Sequence, residues 1–307
     1  MDAVLCVGID LDDLRYYRAI HALPDVPDTP VLFEAALPRF LQLCAKVGVR
    51  ATLFAIASDL RWPVAVAALK GAVAAGHEVA SHSHAHRYDL SLMPEAAMES
   101  DVMLARRALS DAIGRPVVGF RGPGYNLSDD LLHALVRAGY QYDSTCLASP
   151  PYFLARAAII GAMRIKGARS ASIVGRGRDF FRGTRPFMWE TVSLPEYPIT
   201  GCGLVRIPLI GTTLASRSWR RRLVSAASRL DFLNIEFHGI DFLDLEKDGL
   251  DPALAVEPAL RVPLAERLVG FEEALLTLAA GRKNCPLAEL GQGNCCSDMG
   301  SQGGKDG

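Results

Sequence analysis

Three carboxylates fall within four positions, in the segment GIDLDD at residues 8–13, directly after the first apolar run of the chain. That run predicts a buried strand, and side chains two apart on a strand point to the same side. Asp10 and Asp12 would therefore share one side, and Asp13 would face another. Two neighbouring carboxylates repel, and each raises the other's pKa unless a cation lies between them. A metal ion would supply that cation, whereas an acidic surface loop is the simpler alternative.

Candidate partners for such an ion occur in the segment SHSHAHRYD, which holds three of the seven histidines within five residues. His82 and His86 are four apart and can present two imidazoles to the same side, with His84 directed elsewhere. Two imidazoles and a distant carboxylate form a facial ligand set that suits zinc or a similar divalent ion and leaves positions open for water. The alternative is a polar, His-rich loop without a metal.

The elements that would position these residues alternate between short apolar runs and helical patterns, which is typical of βα units around a mostly parallel sheet. We expect strands at residues 4–9, 50–56, 77–83, 117–120, 140–145, 205–211 and 232–242. We expect helices at residues 31–47, 64–76, 94–113, 128–137, 216–230 and 264–280. Residues 149–203 are rich in Pro, Gly and Arg, and their weak periodicity indicates an insertion between two units.

Composition limits the class of protein. The chain has 307 residues, is 50% hydrophobic and has a net charge of −1, which is typical of a globular protein and argues against a general nucleic-acid binder. No apolar run approaches the ~18 residues of a membrane span, and the N-terminus lacks the features of a signal peptide. We therefore expect a cytoplasmic protein. The predicted organisation is one domain over residues 1–290 and a disordered tail over 291–307, whose composition is of low complexity.

The seven cysteines show neither disulfide-framework nor CxxC spacing, so a thiolate zinc site is not expected. Cys6 and Cys44 lie in apolar runs and are predicted to be buried thiols.

Five segments of the chain, between about residues 5 and 245, resemble the ordered motifs of the polysaccharide deacetylase superfamily (NodB homology, carbohydrate esterase family 4). They are GIDLDD, HSHAH at 82–86, RGPG at 121–124, YDST with Asp143, and LNIEFH with His238. Each motif is weak alone, but five in this order are specific. The resemblance implies an α/β fold, a distorted (β/α)7 barrel with an insertion near residues 149–203, and a site at the carboxyl ends of its strands.

The resemblance also implies roles for the first three motifs. Asp10 would be the general base, held and oriented by Arg121. Asp12 would bind one divalent ion together with His82 and His86, with zinc expected first and cobalt, manganese, iron or nickel as alternatives. Arg121 could instead be a structural ion-pair residue.

For the remaining motifs, the resemblance implies that His238 is the general acid and that Asp143 tunes it. The backbone N–H of Gly124 would help bind the oxyanion. Apart from the resemblance, Tyr125 could contact the substrate by stacking on a sugar, although aromatic residues this sparse are more often core residues. His238 could instead be a buried core histidine, and Asp143 could simply cap a turn.

Two features depart from the superfamily pattern. Most members have adjacent aspartates in the first motif, so the base and ligand here could be Asp10 and Asp12 or Asp12 and Asp13. We prefer the first pair because of the strand geometry. No tryptophan accompanies Asp143, which makes the fourth motif the least secure.

A strongly basic segment runs from Arg156 to Arg185, where eight basic residues face one acid and apolar residues are interleaved. The segment SWRRRL at 218–223 adds three arginines. Such a surface suits anionic lipid headgroups or a lipid-phosphate-linked sugar, which predicts peripheral contact with the inner face of a membrane. The alternative is a solvated loop whose arginines pair with acidic residues elsewhere.

Three functions therefore compete. The leading hypothesis is a metal-dependent N-deacylase that acts on an N-acylated amino sugar, lipid- or nucleotide-linked. The second is a cytoplasmic amidohydrolase of the same barrel, acting on a small non-sugar amide or ureide. The third is a non-catalytic binding barrel. No nucleic-acid partner is expected, and assembly into a homo-oligomer is left open.

Overall fold

The structure, a computed structural model, describes residues 3–175 and 183–291. Its strands are β1 Val4–Asp10, β2 Thr52–Ala55, β3 Glu78–Ser81, β4 Gly119–Phe120, β5 Tyr142–Asp143, β6 Phe187–Trp189, β7 Leu194–Glu196, β8 Gly201–Cys202, β9 Ile207–Pro208, β10 Phe232–His238 and β11 Lys283–Asn284. Its α-helices are α1 Leu14–Ile20, α2 Leu37–Val47, α3 Pro63–Ala74, α4 Glu95–Ile113, α5 Asp129–Ala138, α6 Pro150–Ile165, α7 Gly211–Ala215, α8 Arg217–Ala227 and α9 Leu264–Ala279.

Seven parallel strands form the main sheet, in the order β10-β1-β2-β3-β4-β5-β7. β6 pairs antiparallel with β7 at one end, and β11 lies beside β1. Between β7 and β10 the gap is spanned by loop contacts: Thr200 N–H donates to Asn234 O at 3.0 Å, and Ile210 forms a parallel bridge to Glu236. The predicted α/β class and distorted (β/α)7 arrangement are confirmed.

An aromatic cluster fixes the position of β10 against the helices. Phe237 of β10 packs against Phe40 of α2 and Phe271 of α9, with ring centroids 6.0 and 5.0 Å apart. All three side chains are fully buried, so their burial drives the association of these elements. β1 and β10 pair along their whole length, and the last pair in the register is Asp10 and His238. Two polar residues from distant parts of the sequence thus meet at the carboxyl edge of the sheet.

The region expected to be an insertion is more regular than its composition indicates. Residues 150–165 form α6, which was not expected, with two prolines in its first turn, where their missing N–H groups cost nothing. β7 belongs to the main sheet, so the stretch outside the sheet is narrower than 149–203. Part of the basic segment (residues 176–182) and the tail from residue 292 lie outside the described residues.

The remaining elements follow the predicted pattern, and most strands are shorter than expected. The short helices α1 and α7 and the strand β11 were not expected. α2 and α5 end at Gly48 and Gly139, whose φ values of 76° and 85° favour glycine. Cys6 and Cys44 are buried, as predicted. Within residues 3–175 and 183–291, no helix combines the length and the apolarity that crossing a membrane requires.

Candidate functional site

The end of β1 and the loop after β3 bring one carboxylate and two imidazoles together. Asp12 Oδ1 lies 3.2 Å from His82 Nε2 and 3.1 Å from His86 Nε2, and all three side chains are buried. Asp13 faces elsewhere: it caps α1, and its carboxylate accepts a hydrogen bond from Arg15 N–H at 3.0 Å. Of the two adjacent aspartates, it is Asp12 that faces the imidazoles.

The His82–His86 segment is a loop rather than a helix, and its backbone is strained. Ser83 and His86 have φ values of 67° and 49°, a left-handed region that non-glycine residues rarely occupy and that is often found at functional sites. His86 N–H donates to Ser83 Oγ at 2.9 Å. His82 Nδ1 lies 2.7 Å from the carbonyl oxygen of Arg121, which can only accept. Nδ1 therefore carries the hydrogen, and the lone pair of His82 is on Nε2, toward Asp12.

Neighbouring elements hold this loop in place. The carboxylate of Asp101, on α4, accepts hydrogen bonds from the backbone N–H of His84 and of the next residue, at 2.9 and 3.3 Å. The ring of His86 packs against Tyr16 and Tyr88, with centroids 4.2 and 5.0 Å apart. The positions of the two imidazoles are therefore set by side chains from three other parts of the chain.

The donor set fits a divalent cation. Among the described residues, Asp12 Oδ1 and both ring nitrogens of His86 are buried without a hydrogen-bond partner. Buried polar atoms are rarely left without partners, because desolvation without compensation is unfavourable. One carboxylate oxygen and two imidazole nitrogens within 4.8 Å of one another are a ligand set that zinc and similar ions prefer. A cation at this position would be bound by Asp12 Oδ1, by His82 Nε2 and by one of the two ring nitrogens of His86.

Arg121 lies beside this cluster and neutralises two buried carboxylates. Its Nη1 donates to Asp10 Oδ1 at 2.7 Å and to Glu236 Oε1 at 3.2 Å. Its Nε donates to Ser144 O at 2.9 Å, and its guanidinium lies 3.9 Å from the centroid of the Phe54 ring. The guanidinium is fully buried, so its orientation and that of Asp10 are fixed together.

The two carboxyl groups differ in pKa. Burial opposes ionisation of Asp10, but the charge of Arg121 and of nearby imidazoles outweighs it and lowers the pKa of Asp10. Burial and the charge of Asp10 raise the pKa of Glu236 to about 8, against the influence of Arg121. Asp10 is therefore the more acidic of the two carboxyl groups.

Glu236 is a site residue that the sequence reasoning missed. It stands two residues before His238 on β10, and the two-residue repeat of a strand places both on one side. A carboxylate oxygen of Asp10, a carboxylate oxygen of Glu236 and a ring nitrogen of His238 lie within 4.8 Å of one another. Tyr125 links the group, since its hydroxyl donates to Glu236 Oε2 at 2.9 Å and lies 3.3 Å from His238 Nε2. The period-two pattern could have identified Glu236.

His238 ends β10 directly opposite Asp10, and its backbone N–H donates to Asp241 Oδ2 at 2.8 Å. Burial lowers the pKa of His238, but the surrounding carboxylates, first Glu236 and then Asp10, outweigh burial and raise that pKa to about 9. The imidazole is therefore charged at neutral pH. This state suits a group that must donate a proton.

Among the described residues, no hydrogen bond or ion pair joins Asp143 to His238. The Asp143 carboxylate accepts a hydrogen bond from Thr145 Oγ1 at 2.5 Å, and the sheet register places the residue beside Glu196 of β7. Burial is the largest effect on Asp143 and raises its pKa to about 6. Glu236, Asp10, Asp12 and Asp241 are the carboxylates that raise the pKa of His238. The predicted tuning role of Asp143 stays a prediction.

Gly124 and Tyr125 lie in a short 3-10 turn at the wall of the site, and both have φ of 61°. A Cβ on Gly124 would come within 2.7 Å of Arg156 Nη2 and 2.8 Å of Tyr88, so the turn requires glycine. Gly124 O accepts a hydrogen bond from Arg156 Nη1 at 2.7 Å. The predicted role of the Gly124 N–H toward an oxyanion stays a prediction.

Fold and site together define a βα-barrel protein with a candidate divalent-metal centre and a facing carboxylate–imidazole pair. Residues 25–142 match the family model for polysaccharide deacetylase. A 160-residue part of the chain, 50% of its length, is 26% identical to peptidoglycan deacetylase of Helicobacter pylori (strain ATCC 700392 / 26695) and covers 53% of that protein. The match thus spans about half the length of this curated relative.

Solved structures agree at the level of the fold. A Mycobacterium smegmatis protein assigned to the polysaccharide deacetylases is similar with a TM-score of 0.60 at 15% identity, covering 94% of this chain and 88% of that one. PuuE allantoinase is similar with a TM-score of 0.57 at 14% identity, covering 94% and 89%. The resemblance to the polysaccharide deacetylase superfamily, first seen in five motifs, is confirmed by the family model and by the curated relative.

Proposed function

We propose that this protein is a metal-dependent hydrolase that removes an N-acyl group, acetyl or formyl, from an amino sugar carried on a lipid or a nucleotide. One observation carries the proposal: the buried Asp12, His82 and His86 cluster lies directly beside Asp10 and His238, which face each other across β1 and β10. The superfamily resemblance supports the same reaction class.

Asp12, His82 and His86 would hold the ion, with zinc expected first and cobalt, manganese, iron or nickel as alternatives. When bound, such an ion acts as a Lewis acid toward a carbonyl and lowers the pKa of water. The hydrogen bond from His82 Nδ1 to Arg121 O fixes the imidazole orientation that this binding needs.

Asp10 acts as the general base. Its Oδ1 is tied to Arg121, while Oδ2 faces the metal cluster, 3.7 Å from His82 Nε2. Oδ2 is therefore the oxygen that accepts the proton of the attacking water. Arg121 keeps Asp10 ionised and aimed, and a base in this position is typically worth ~10²–10⁴ in rate.

His238 acts as the general acid on the opposite side of the scissile amide. The water oxygen adds to the acyl carbon, the carbon–nitrogen bond breaks, and the imidazolium of His238 gives its proton to the leaving amine. Glu236 and Tyr125 orient His238, because the hydroxyl of Tyr125 lies between the Glu236 carboxyl and His238 Nε2. The products are a carboxylic acid and a free amino sugar.

Turnover of the metal-loaded protein tests the proposal. Purified protein is incubated with N-acetylated and N-formylated sugars, free, nucleotide-linked and lipid-linked, and released acid and new amine are measured. Asp10→Asn should keep the metal and lose at least about 100-fold in rate. Asp13→Asn, a matched change in the neighbouring cap, should keep the rate. Acyl release by Asp10→Asn at the wild-type rate would show that Asp10 is not the base.

Two alternatives are separated by the same assay. Small amides and cyclic ureides in the panel test an amidohydrolase that does not act on sugars. A binding barrel without catalysis would release no acid from any substrate, but such a protein has no need of a base, an acid and three ligands in one cluster. The expected cytoplasmic location is tested by cell fractionation, and the oligomeric state by analytical ultracentrifugation.

A further inference from the structure

Helix α6 presents apolar side chains to solvent. Of its sixteen residues only Phe153 is buried, whereas Leu154, Ile159 and Ile165 are 71%, 53% and 89% exposed. A helix on the surface of a globular protein normally turns its polar side outward, and one that is apolar on its outer side is usually covered. The solvent side of α6 is therefore unlike that of a helix exposed to water alone.

Exposed apolar side chains also occur on two neighbouring elements, the β8–β9 hairpin and α8. α6 contacts β9, and α8 contacts β8, the other strand of the β8–β9 hairpin. The hairpin turn exposes Leu204 completely and Val205 to 61%, and Trp219 of α8 is 43% exposed. We call this surface the α6 face and define its apolar part as Leu154, Ile159, Ile165, Leu204, Val205 and Trp219.

The charges around the α6 face have one sign. Residues 144–175 and 197–230, which supply α6, the hairpin and α8, contain no aspartate or glutamate. Their exposed basic residues are Arg164, Lys166, Arg169, Arg217, Arg221, Arg222 and Arg229. The net charge of the whole chain is only −1, so this face is basic because positive charge is segregated onto it.

We propose that the α6 face binds the surface of an anionic lipid bilayer. Exposed Leu, Ile and Trp side chains next to Lys and Arg match the boundary between acyl chains and anionic headgroups, where each type of residue finds its preferred surroundings. Exposed apolar patches of this kind mark interaction sites. Within residues 3–175 and 183–291, no helix has the length and apolarity to span a bilayer.

The α6 face adjoins the candidate active site. Arg156 of α6 donates to Gly124 O in the site wall, and Tyr152 packs against Tyr125 with ring centroids 5.4 Å apart. Docking of α6 on a bilayer would therefore bring the site to the lipid surface, where a lipid-linked acyl sugar is presented. Only this consequence rests on the proposed function, because bilayer binding itself requires no catalysis.

Vesicle sedimentation of the full chain tests the proposal. One set of vesicles is phosphatidylcholine alone, and the other contains about 30% phosphatidylglycerol. The wild-type chain should sediment with the anionic vesicles, and binding should weaken as salt rises from about 0.1 to about 0.5 M, because screening shortens the reach of the charges.

Two double variants report on the two parts of the face. Leu154→Ser with Ile165→Ser should weaken binding at least about tenfold through lost apolar burial. Lys166→Ser with Arg169→Ser should weaken binding about 25-fold, at about fivefold for each basic residue near an anionic surface. A matched control, Val269→Ser with Leu276→Ser on α9, removes apolar residues that are 55% and 49% exposed elsewhere and should bind like wild type.

Three results would overturn the proposal. The first is that the wild-type chain stays in the supernatant with both kinds of vesicle. The second is that the α6 and α9 variants lose binding equally. The third is sedimentation-equilibrium evidence that Leu154 and Ile165 instead hold two copies of the chain together in solution. Hydrolysis of soluble substrates is assayed separately, so loss of vesicle binding leaves the proposed reaction standing.

Discussion

Replacement of Arg121 by methionine should expose how strongly one guanidinium stabilises two buried carboxyl groups. The change removes the donors to Asp10 and Glu236, at 2.7 and 3.2 Å, and leaves both groups in a fully buried place. Breaking a buried ion pair by removing one partner costs about 3–5 kcal/mol, because an uncompensated charge remains. A loss of that size lowers the melting temperature by about 5–8 °C in a chain of this length.

The pH dependence of this loss is the distinctive part of the prediction. Without Arg121, burial and mutual repulsion raise the pKa values of Asp10 and Glu236 above those of the unfolded chain. The folded variant then binds more protons than the unfolded chain, so its stability falls as the pH rises through the window between the two sets of pKa values. The difference from wild type should therefore be larger at about pH 8 than at about pH 5.

The assay is urea unfolding of the metal-free protein at both pH values, followed by circular dichroism. Arg267→Met is the matched control: Arg267 is equally buried, but its guanidinium donates to the carbonyl oxygens of Val262, Asp241 and Leu243. The unfolding free energy that Arg267→Met loses should depend much less on pH. Two results would refute the reasoning. The first is that Arg121→Met loses less than about 1 kcal/mol of unfolding free energy, which is the range of exposed ion pairs. The second is that this loss is equal at both pH values.

Three further predictions concern the metal cluster and the acid. Zinc should raise the melting temperature of wild type and of Asp13→Asn but not of Asp12→Asn, since only Asp12 faces the imidazoles; differential scanning fluorimetry measures this. Asp101→Ala should lower zinc affinity about 10- to 100-fold in a competitive chelator titration, because the loop carrying both imidazoles loses its anchor. In the metal-free protein the pKa of His238 should be near 9, and Glu236→Gln should lower it; an NMR titration follows the imidazole. Because this folded pKa lies above the unfolded value, the stability that His238 contributes is present below about pH 6.5 and lost as the pH rises through 9.

Each of these predictions has its own contrary result. Equal zinc stabilisation of the Asp12 and Asp13 variants would remove Asp12 from the ligand set. Asp111→Ala, on the exposed side of the same helix as Asp101, should leave zinc affinity unchanged, and an equal loss in both variants would point to a general effect on α4. A pKa of His238 at the ordinary value of a histidine would mean that the facing carboxylates do not raise it.

The part of the site that could be predicted from the sequence is the part set by local periodicity and chain order. Asp12 and the two imidazoles are separated by some seventy residues, yet the rule that parallel strands end at one edge brings them together. The prediction of this ligand set did not depend on the backbone conformation of residues 82–86. These residues form a loop in which Ser83 and His86 have positive φ values.

Contacts that depend on register and packing could not be predicted. Asp143 was expected to tune His238, and only the sheet register shows that Asp143 lies opposite Glu196 of the adjacent strand β7. Asp101 stands inside a helix, and only the packing of α4 under the loop shows that it anchors that loop. Such relations need the three-dimensional arrangement.

Helix α6 was missed for a different reason. The sequence signal for a helix is an apolar stripe beside a polar one, and α6 is apolar on both its packed and its exposed sides, with two prolines in its first turn. Glu236, in contrast, was within reach, since a carboxyl two residues before a strand-ending histidine must share its side.

A crystal structure of the protein grown with zinc tests the central claim most directly, through anomalous scattering at the zinc edge. The account predicts one strong peak per chain, with Asp12 Oδ, His82 Nε2 and His86 Nε2 each at about 2.0–2.2 Å from it. A cluster without a peak at saturating zinc, or a peak bound by other side chains, would contradict it.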